Sequence, residues 1–264
     1  MVEGPSQGPS HRGDEAVPRT VVVPLDGSAR SEASLPLGYL LAERFRATVQ
    51  TVTVGPTSAT ADLVLEGDPA AALLDHLAGL DRTLVCMSSH GYGGVRRRLV
   101  GSVAEVMIRR SPVPVIVSGP RVGPPDRVVA RSILAGLAWS PNLDRLADTL
   151  TAWAPLLDAR VELSHVRRPS ATELYATRVT GRASADRPPI NTLAAAMTEQ
   201  GLRATVHPMT STDPAAALLS LAEELPPPVL IAVDTHRDDE SVHHDIAYQL
   251  IRHSPWPVLA TVGA

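Results

Sequence analysis

The stretch SSHGYGGVRRRLVGS, residues 88–102, gathers the residue types in this chain best suited to binding chemistry. It follows the apolar run at 83–87 and leads into a helical pattern at 103–110. Glycines let backbone N–H groups converge without a Cβ in the way. A helix starting at Ser102 offers N–H donors that lack intrahelical partners, and the positive end of the helix dipole. Together these describe an anion or phosphate site that needs no lysine. Arg96, Arg97 and Arg98 would add charge at its rim, although such a run is also ordinary for a solvated face. The local alternative needs no ligand. Ser102-Val-Ala-Glu105 has the spacing of a capping box, in which the serine caps its own helix.

Other chemistry is thin. The 24 cationic residues include no lysine. That excludes a Walker-type phosphate loop, a protein kinase and Schiff-base catalysis, each of which needs a lysine amine. His90 reads as a loop residue rather than a base, and no Ser/His/Asp set can be assembled. The string HRDDESVHHD at 236–245 is polar enough to be a plain loop, and adjacent histidines diverge on a helix, so no metal site is expected. The single cysteine, Cys86, sits in an apolar run and reads as a buried, unreactive thiol.

The net charge of −4 gives no basic surface for nucleic acid. No apolar run approaches the roughly 20 residues of a membrane span. The first residues lack a signal-peptide core, which with the lone cysteine fits a reducing cytoplasm.

The elements that would position residues 88–102 can be read from periodicity. Residues 1–18 are rich in Gly, Pro, Ser and charge and read as a disordered tail. Strands are predicted at 20–25, 49–54, 61–65, 83–87 and 113–117. Helices are predicted at 31–45, where Pro36 kinks or delays the start, from Pro69 with Asp68 as cap, and at 102–110. Continuous apolar strands alternating with helices predict an open parallel α/β sheet covered on both faces. The pattern then repeats. DPAAALL begins at Asp68 and again at Asp213, and Ser111-Pro-Val-Pro returns as Ser254-Pro-Trp-Pro. Two matches in one order argue for two copies of one domain, at 19–118 and 128–264, joined by a linker at 119–127. In the second copy strands are predicted at 132–138 and 161–166, and helices at 143–157, with Asn142 as cap, and 190–200. A long loop spans 167–189. The first copy leaves only six residues, 55–60, between its second and third strands. A parallel crossover ordinarily takes a dozen or more, so the third strand sits differently or the connection is tight.

Five segments carry a family resemblance: VVPLDGS from Val22, LEGDP from Leu65, MSSHG from Met87, LVGS from Leu99 and PVPV from Pro112. In this order they resemble the universal stress protein family over residues 20–118, and the second copy resembles it in weakened form. The resemblance implies two tandem domains of adenine nucleotide alpha hydrolase-like topology, with the final strands 113–117 and 258–262 pairing inside one chain. It also implies a nucleotide signature: a glycine, two residues, a glycine, nine residues, then Gly-Ser. Gly91, nine residues and Gly101-Ser102 match, while Ser88 stands where the first glycine would be. By resemblance ATP, with Mg2+, is the ligand. Pro24, Leu25 and Asp26 would meet the adenine end and Val54 would line the base. Ser88, His90 and Gly91 would hold ribose and phosphate. Gly101, Ser102, Val103 and Ala104 would take the terminal phosphates.

In the second copy Ala138 replaces Asp26, Arg237 replaces Gly91, and His244-Asp245 replaces Gly101-Ser102. An aspartate at a helix start repels phosphate, so one ATP per chain is expected. The implied role is an ATP-binding regulator of a stress response, acting with a protein partner of unspecified kind and not as an enzyme. Slow hydrolysis and association of two chains stay open. The competing reading is a nucleotide-free interaction module with both loops degenerate, which the Ser88 departure and the abridged crossover favour. An enzyme of the related nucleotide α-hydrolase group would need a Ser-Gly-Gly-x-Asp-Ser loop after the first strand, which Asp26-Gly27-Ser28 does not provide.

Overall fold

The computed structural model describes residues 15–55, 61–89, 101–125, 127–137, 143–169, 190–235 and 242–262. Its first half contains strands β1 (Thr20–Leu25), β2 (Thr48–Val54), β3 (Leu63–Leu65), β4 (Thr83–Ser88) and β5 (Val115–Ser118). Helices α1 (Ala29–Glu32), α2 (Leu35–Phe45), α3 (Pro69–Ala78) and α4 (Ser102–Arg110) alternate with them. The second half has β6 (Ser132–Gly136), β7 (Arg160–Arg167), β8 (Ala204–Thr210), β9 (Val229–Thr235) and β10 (Val258–Val262). Its helices are α5 (Leu143–Leu157), α6 (Ile190–Glu199), α7 (Pro214–Glu224) and α8 (Val242–His253).

All ten strands form one sheet, in the order β3-β2-β1-β4-β5-β10-β9-β6-β7-β8. Each half is parallel within itself. The join is antiparallel, with Val117 opposite Val258, Ile116 opposite Leu259 and Val115 opposite Ala260. The last strands of the two halves thus pair within one chain, as the resemblance implied.

Alternation along the strands feeds two cores. Val21, Val23 and Leu25 face α2 and α5, in a cluster with Leu41, Phe45 and Trp153. Val22 faces the other way, into a cluster with Leu73, Leu77, Met107, Leu218 and Leu250. Burial on both faces is why these strands read as unbroken apolar runs.

The repeated motifs do the same work twice. Asp68 caps α3 by accepting from the N–H groups of Ala70 and Ala71, and Asp213 caps α7 by accepting from Ala216. Ser111 Oγ donates to the Val113 carbonyl at 2.7 Å, and Ser254 Oγ donates to the Trp256 carbonyl at 2.7 Å. That turn uses up the Ser-Pro-x-Pro segment, so β5 begins at Val115 rather than at the expected residue 113. The helix expected at 31–45 is broken at Ala33 and Ser34, and Pro36 occupies the first turn of α2.

The abridged crossover is a tight connection. β3 is three residues long and pairs only with the end of β2, Val52 opposite Leu63 and Val54 opposite Leu65, so the chain has little distance to travel back. A latch holds it. The Thr51 N–H and hydroxyl donate to Asp62 Oδ2 at 2.9 and 2.8 Å, and the Asp62 N–H reaches Thr51 Oγ1 at 2.8 Å. Gly55, at φ +92°, donates its N–H to the Leu65 carbonyl.

Part of the expected disordered tail is anchored. Trp153 is fully buried, and its indole N–H donates to the Ala16 carbonyl at 2.9 Å. Arg82 Nε donates to the Val17 carbonyl at 2.9 Å. A buried indole N–H requires an acceptor, and the chain at 15–18 supplies it. Residues 1–14, Asn142 and most of the expected loop, 170–189, lie outside the described residues. Of that loop's start, residue 167 belongs to β7. β6 stops at Gly136, two residues before the expected end. No helix among the described residues is long and apolar enough to cross a membrane.

Candidate functional site

The strand order places a topological switch between β1 and β4. From β1 the chain runs outward to β2 and β3, then returns to β4 and β5 on the other side. Crevices at the carboxyl ends of such strands are where open α/β sheets bind ligands. Asp26 follows β1, Val54 ends β2 and Ser88 ends β4. The register sets Thr53 opposite Leu25, so Val54 and Asp26 lie level at one edge of the sheet.

Asp26 is exposed, and its carboxylate organises its own turn. Oδ1 accepts from the Ser28 N–H at 3.0 Å and the Ser28 hydroxyl at 2.6 Å. Gly27, at φ +76°, makes that turn possible, and Ser28 Oγ caps α1 by accepting from the Ser31 N–H at 3.1 Å. Leu25 and Ala104 are buried in the core, so each can offer a ligand only backbone groups. Pro24, Val54 and Ser88 are half-buried.

Ser88 lies opposite Ser118 of β5. Beyond it, buried Ser89 donates its N–H to the Ser118 carbonyl at 2.9 Å and accepts the Gly101 N–H at 2.6 Å. The second contact pins the far end of the loop to the end of β4. Gly101 is extended, at φ −63° and ψ 149°, and is itself the N-cap, so Ser102 falls inside the helix. The expected capping box is therefore not formed. No side chain caps α4, and Glu105 instead pairs with Arg109 at 3.6 Å. The first intrahelical bond runs from the Glu105 N–H to the Gly101 carbonyl. The N–H groups of Ser102, Val103 and Ala104 start the helix without a side-chain acceptor, a donor set suited to an anion. His90, Gly91 and Arg96–Arg98 lie outside the described residues.

The second half departs from this pattern at a position the sequence reading did not single out. The place of Ser88, opposite Ser118, is taken there by Asp234, opposite Thr261. Asp234 is buried at 5% exposure. The available signal was a lone acid near the end of the apolar run VLIAVDT. Ala138, Arg237 and the string at 236–241 lie outside the described residues, and α8 begins at Val242.

Two further features bear on chemistry. Burial pushes the Cys86 thiol up to about 12, which leaves it without thiolate at neutral pH. A cleft of ≈ 660 Å³ opens beside the site, between the two halves; it includes Ser88 but not Asp26, Val54 or the start of α4.

Residues 55–118 match the family model of the Universal stress protein family. Among solved structures, a universal stress protein from Archaeoglobus fulgidus superposes with a TM-score of 0.65 at 16% identity, over 92% of this chain and 96% of that one. Two proteins from Pseudomonas aeruginosa, one of them functionally unknown, superpose at 0.63 and 0.62 with 13% and 12% identity, each over 94% of both chains. No curated protein matches the chain in sequence. At these identities the structural likeness speaks for the fold, and the family match for the segment it covers. Residues 55–118 are thus similar in sequence to the universal stress protein family, and the tandem ten-stranded fold around them is shared with a solved universal stress protein.

Proposed function

We propose that the first half, residues 19–118, binds one adenine nucleotide, ATP with Mg2+, as a regulatory ligand, and that the second half, residues 128–264, binds none. The observation carrying this reading is the uncapped start of α4, pinned by the Gly101–Ser89 hydrogen bond to the end of β4 at the switch point. It sets three helix N–H donors beside the strand ends that also present Asp26 and Val54. The buried Asp234 supports the asymmetry, because a carboxylate at that place disfavours a polyphosphate. Among the described residues of the first-half site none is arranged as a general base, and the role we propose is that of a nucleotide-sensing regulator.

The second reading, a nucleotide-free interaction module, draws on the engagement of Asp26 Oδ1 by Ser28, which leaves that oxygen committed to its turn. Calorimetric titration with Mg-ATP separates the two. One site per chain, weakened about tenfold or more by Asp26→Ala, is expected for the loss of one charge-assisted contact. Absence of heat at millimolar ATP would establish the interaction module, and two sites per chain would overturn the asymmetry.

A further inference from the structure

The cleft between the halves has walls of unlike character. The first-half wall carries Arg30 and Ser34, from α1 and the turn before α2, with Ser88, Ser89 and Ser118 from the strand ends. The opposite walls are the linker and the two strand approaches of the second half, with Pro120, Pro124, Pro228, Pro255 and Pro257, and Trp256 among them. The linker, which composition alone marked as a connection, is thus a wall of a cavity. At ≈ 660 Å³ the cleft has the size of a small-molecule site.

The chemistry of the walls defines a ligand. Proline has no N–H, so at these positions the walls present rigid apolar rings and no backbone donors. Their rigidity lowers the ordering cost of binding. Trp256 adds an indole where the repeat's first copy has Val113, and it is half-buried while Val113 is 7% exposed. Ser34 is fully buried and spends its hydroxyl hydrogen on the Ser31 carbonyl, so it offers a ligand no donor. Arg30 is the one charged side chain among the described lining residues, and no carboxylate among them offsets it.

We propose that this cleft is a second ligand site, distinct from the nucleotide crevice, for a small planar apolar molecule with a single negative charge: an aromatic monocarboxylate. Its ring system lies against the proline walls and Trp256, and its carboxylate pairs with Arg30. The proposal does not depend on nucleotide binding.

The test uses the full chain, nucleotide-free, titrated calorimetrically with 2-naphthoate and with its neutral counterpart 2-naphthalenemethanol. One naphthoate per chain is expected, with the alcohol about tenfold weaker, the worth of one charge-assisted hydrogen bond. Arg30→Gln, at an exposed position, should bring naphthoate down to the affinity of the alcohol and leave the alcohol unchanged. Trp256→Leu should weaken both. Naphthoate affinity unchanged by Arg30→Gln, or no saturable binding, overturns the proposal. So does competition by Mg-ATP together with loss of naphthoate binding in Asp26→Ala, which would put the probe in the nucleotide crevice. Failure of ATP to bind leaves the expected naphthoate result as it stands.

Discussion

Thr235 Oγ1 donates to the carbonyl oxygen of Ile108 at 2.8 Å, across the seam between the two halves. Ile108 lies in the last turn of α4, and four residues on is Pro112, which has no N–H to give. A buried carbonyl without a donor is costly, and Thr235, ending β9, supplies the donor from the other half. The helix that begins at the candidate nucleotide site is thereby fastened at its far end to the other half.

Thr235→Val keeps the shape and removes the donor. The expected loss is about 1–3 kcal/mol, the cost of leaving a buried carbonyl unpaired. It should appear as a lower urea midpoint at an unchanged slope, because the surface exposed on unfolding is the same. An unmoved midpoint would show that Ile108 does not depend on this bond.

The Asp62 latch gives a pH signature. The Thr51 backbone N–H, and after it the Thr51 hydroxyl, hold the Asp62 carboxyl below its ordinary value. A depressed folded-state pKa contributes stability that is present above the unfolded-state value, about 3.9, and lost as pH falls through the folded-state value. Asp62→Asn should therefore be less stable than the parent near pH 7, with the difference shrinking as pH drops below about 4. Urea melts of both proteins across that range measure it. A pH-independent difference would mean that the ionised carboxylate is not what closes the turn.

Gly119 opens the linker against α8, where a Cβ would overlap the Ile251 carbonyl. Ile251 is the repeat's counterpart of Ile108, three residues before the Ser-Pro turn, and Pro255 again removes the helix donor. Gly119→Ala should cost about 1–3 kcal/mol, as overpacking does, and should speed protease cleavage in the linker. A protein with unchanged melting and unchanged cleavage would show that the linker tolerates lifting from α8.

Cys86 should resist alkylation in the folded protein, since burial both shields the thiol and raises it to about 12. Labelling with iodoacetamide at pH 8 is expected only in step with urea unfolding. Fast labelling of the native chain would show that the core around β4 opens easily.

Much of the frame was legible because it is written in local signals. Apolar runs gave the strands, Asp68-Pro69 and its repeat gave two helix starts, and Ser102–Arg110 is the predicted helix. What escaped depends on contacts distant in sequence. The capping box failed because Ser89, twelve residues earlier, fixes Gly101 and moves the cap back by one. The anchoring of residues 15–18 depends on an indole at position 153. Asp234 was visible only as a letter in an apolar run until strand pairing set it in the place of Ser88. The cleft had no sequence signal, because its walls come from segments that meet only across the antiparallel seam.

That seam has a consequence for how the two halves can change. When identical subunits pair through equivalent strands, any substitution at the contact occurs on both sides at once, and the pair comes apart on dilution. Here Val115–Val117 and Val258–Ala260 belong to one chain, so their pairing is independent of protein concentration and each side can vary alone. The same join that holds the halves together frees one of them from the chemistry of the other.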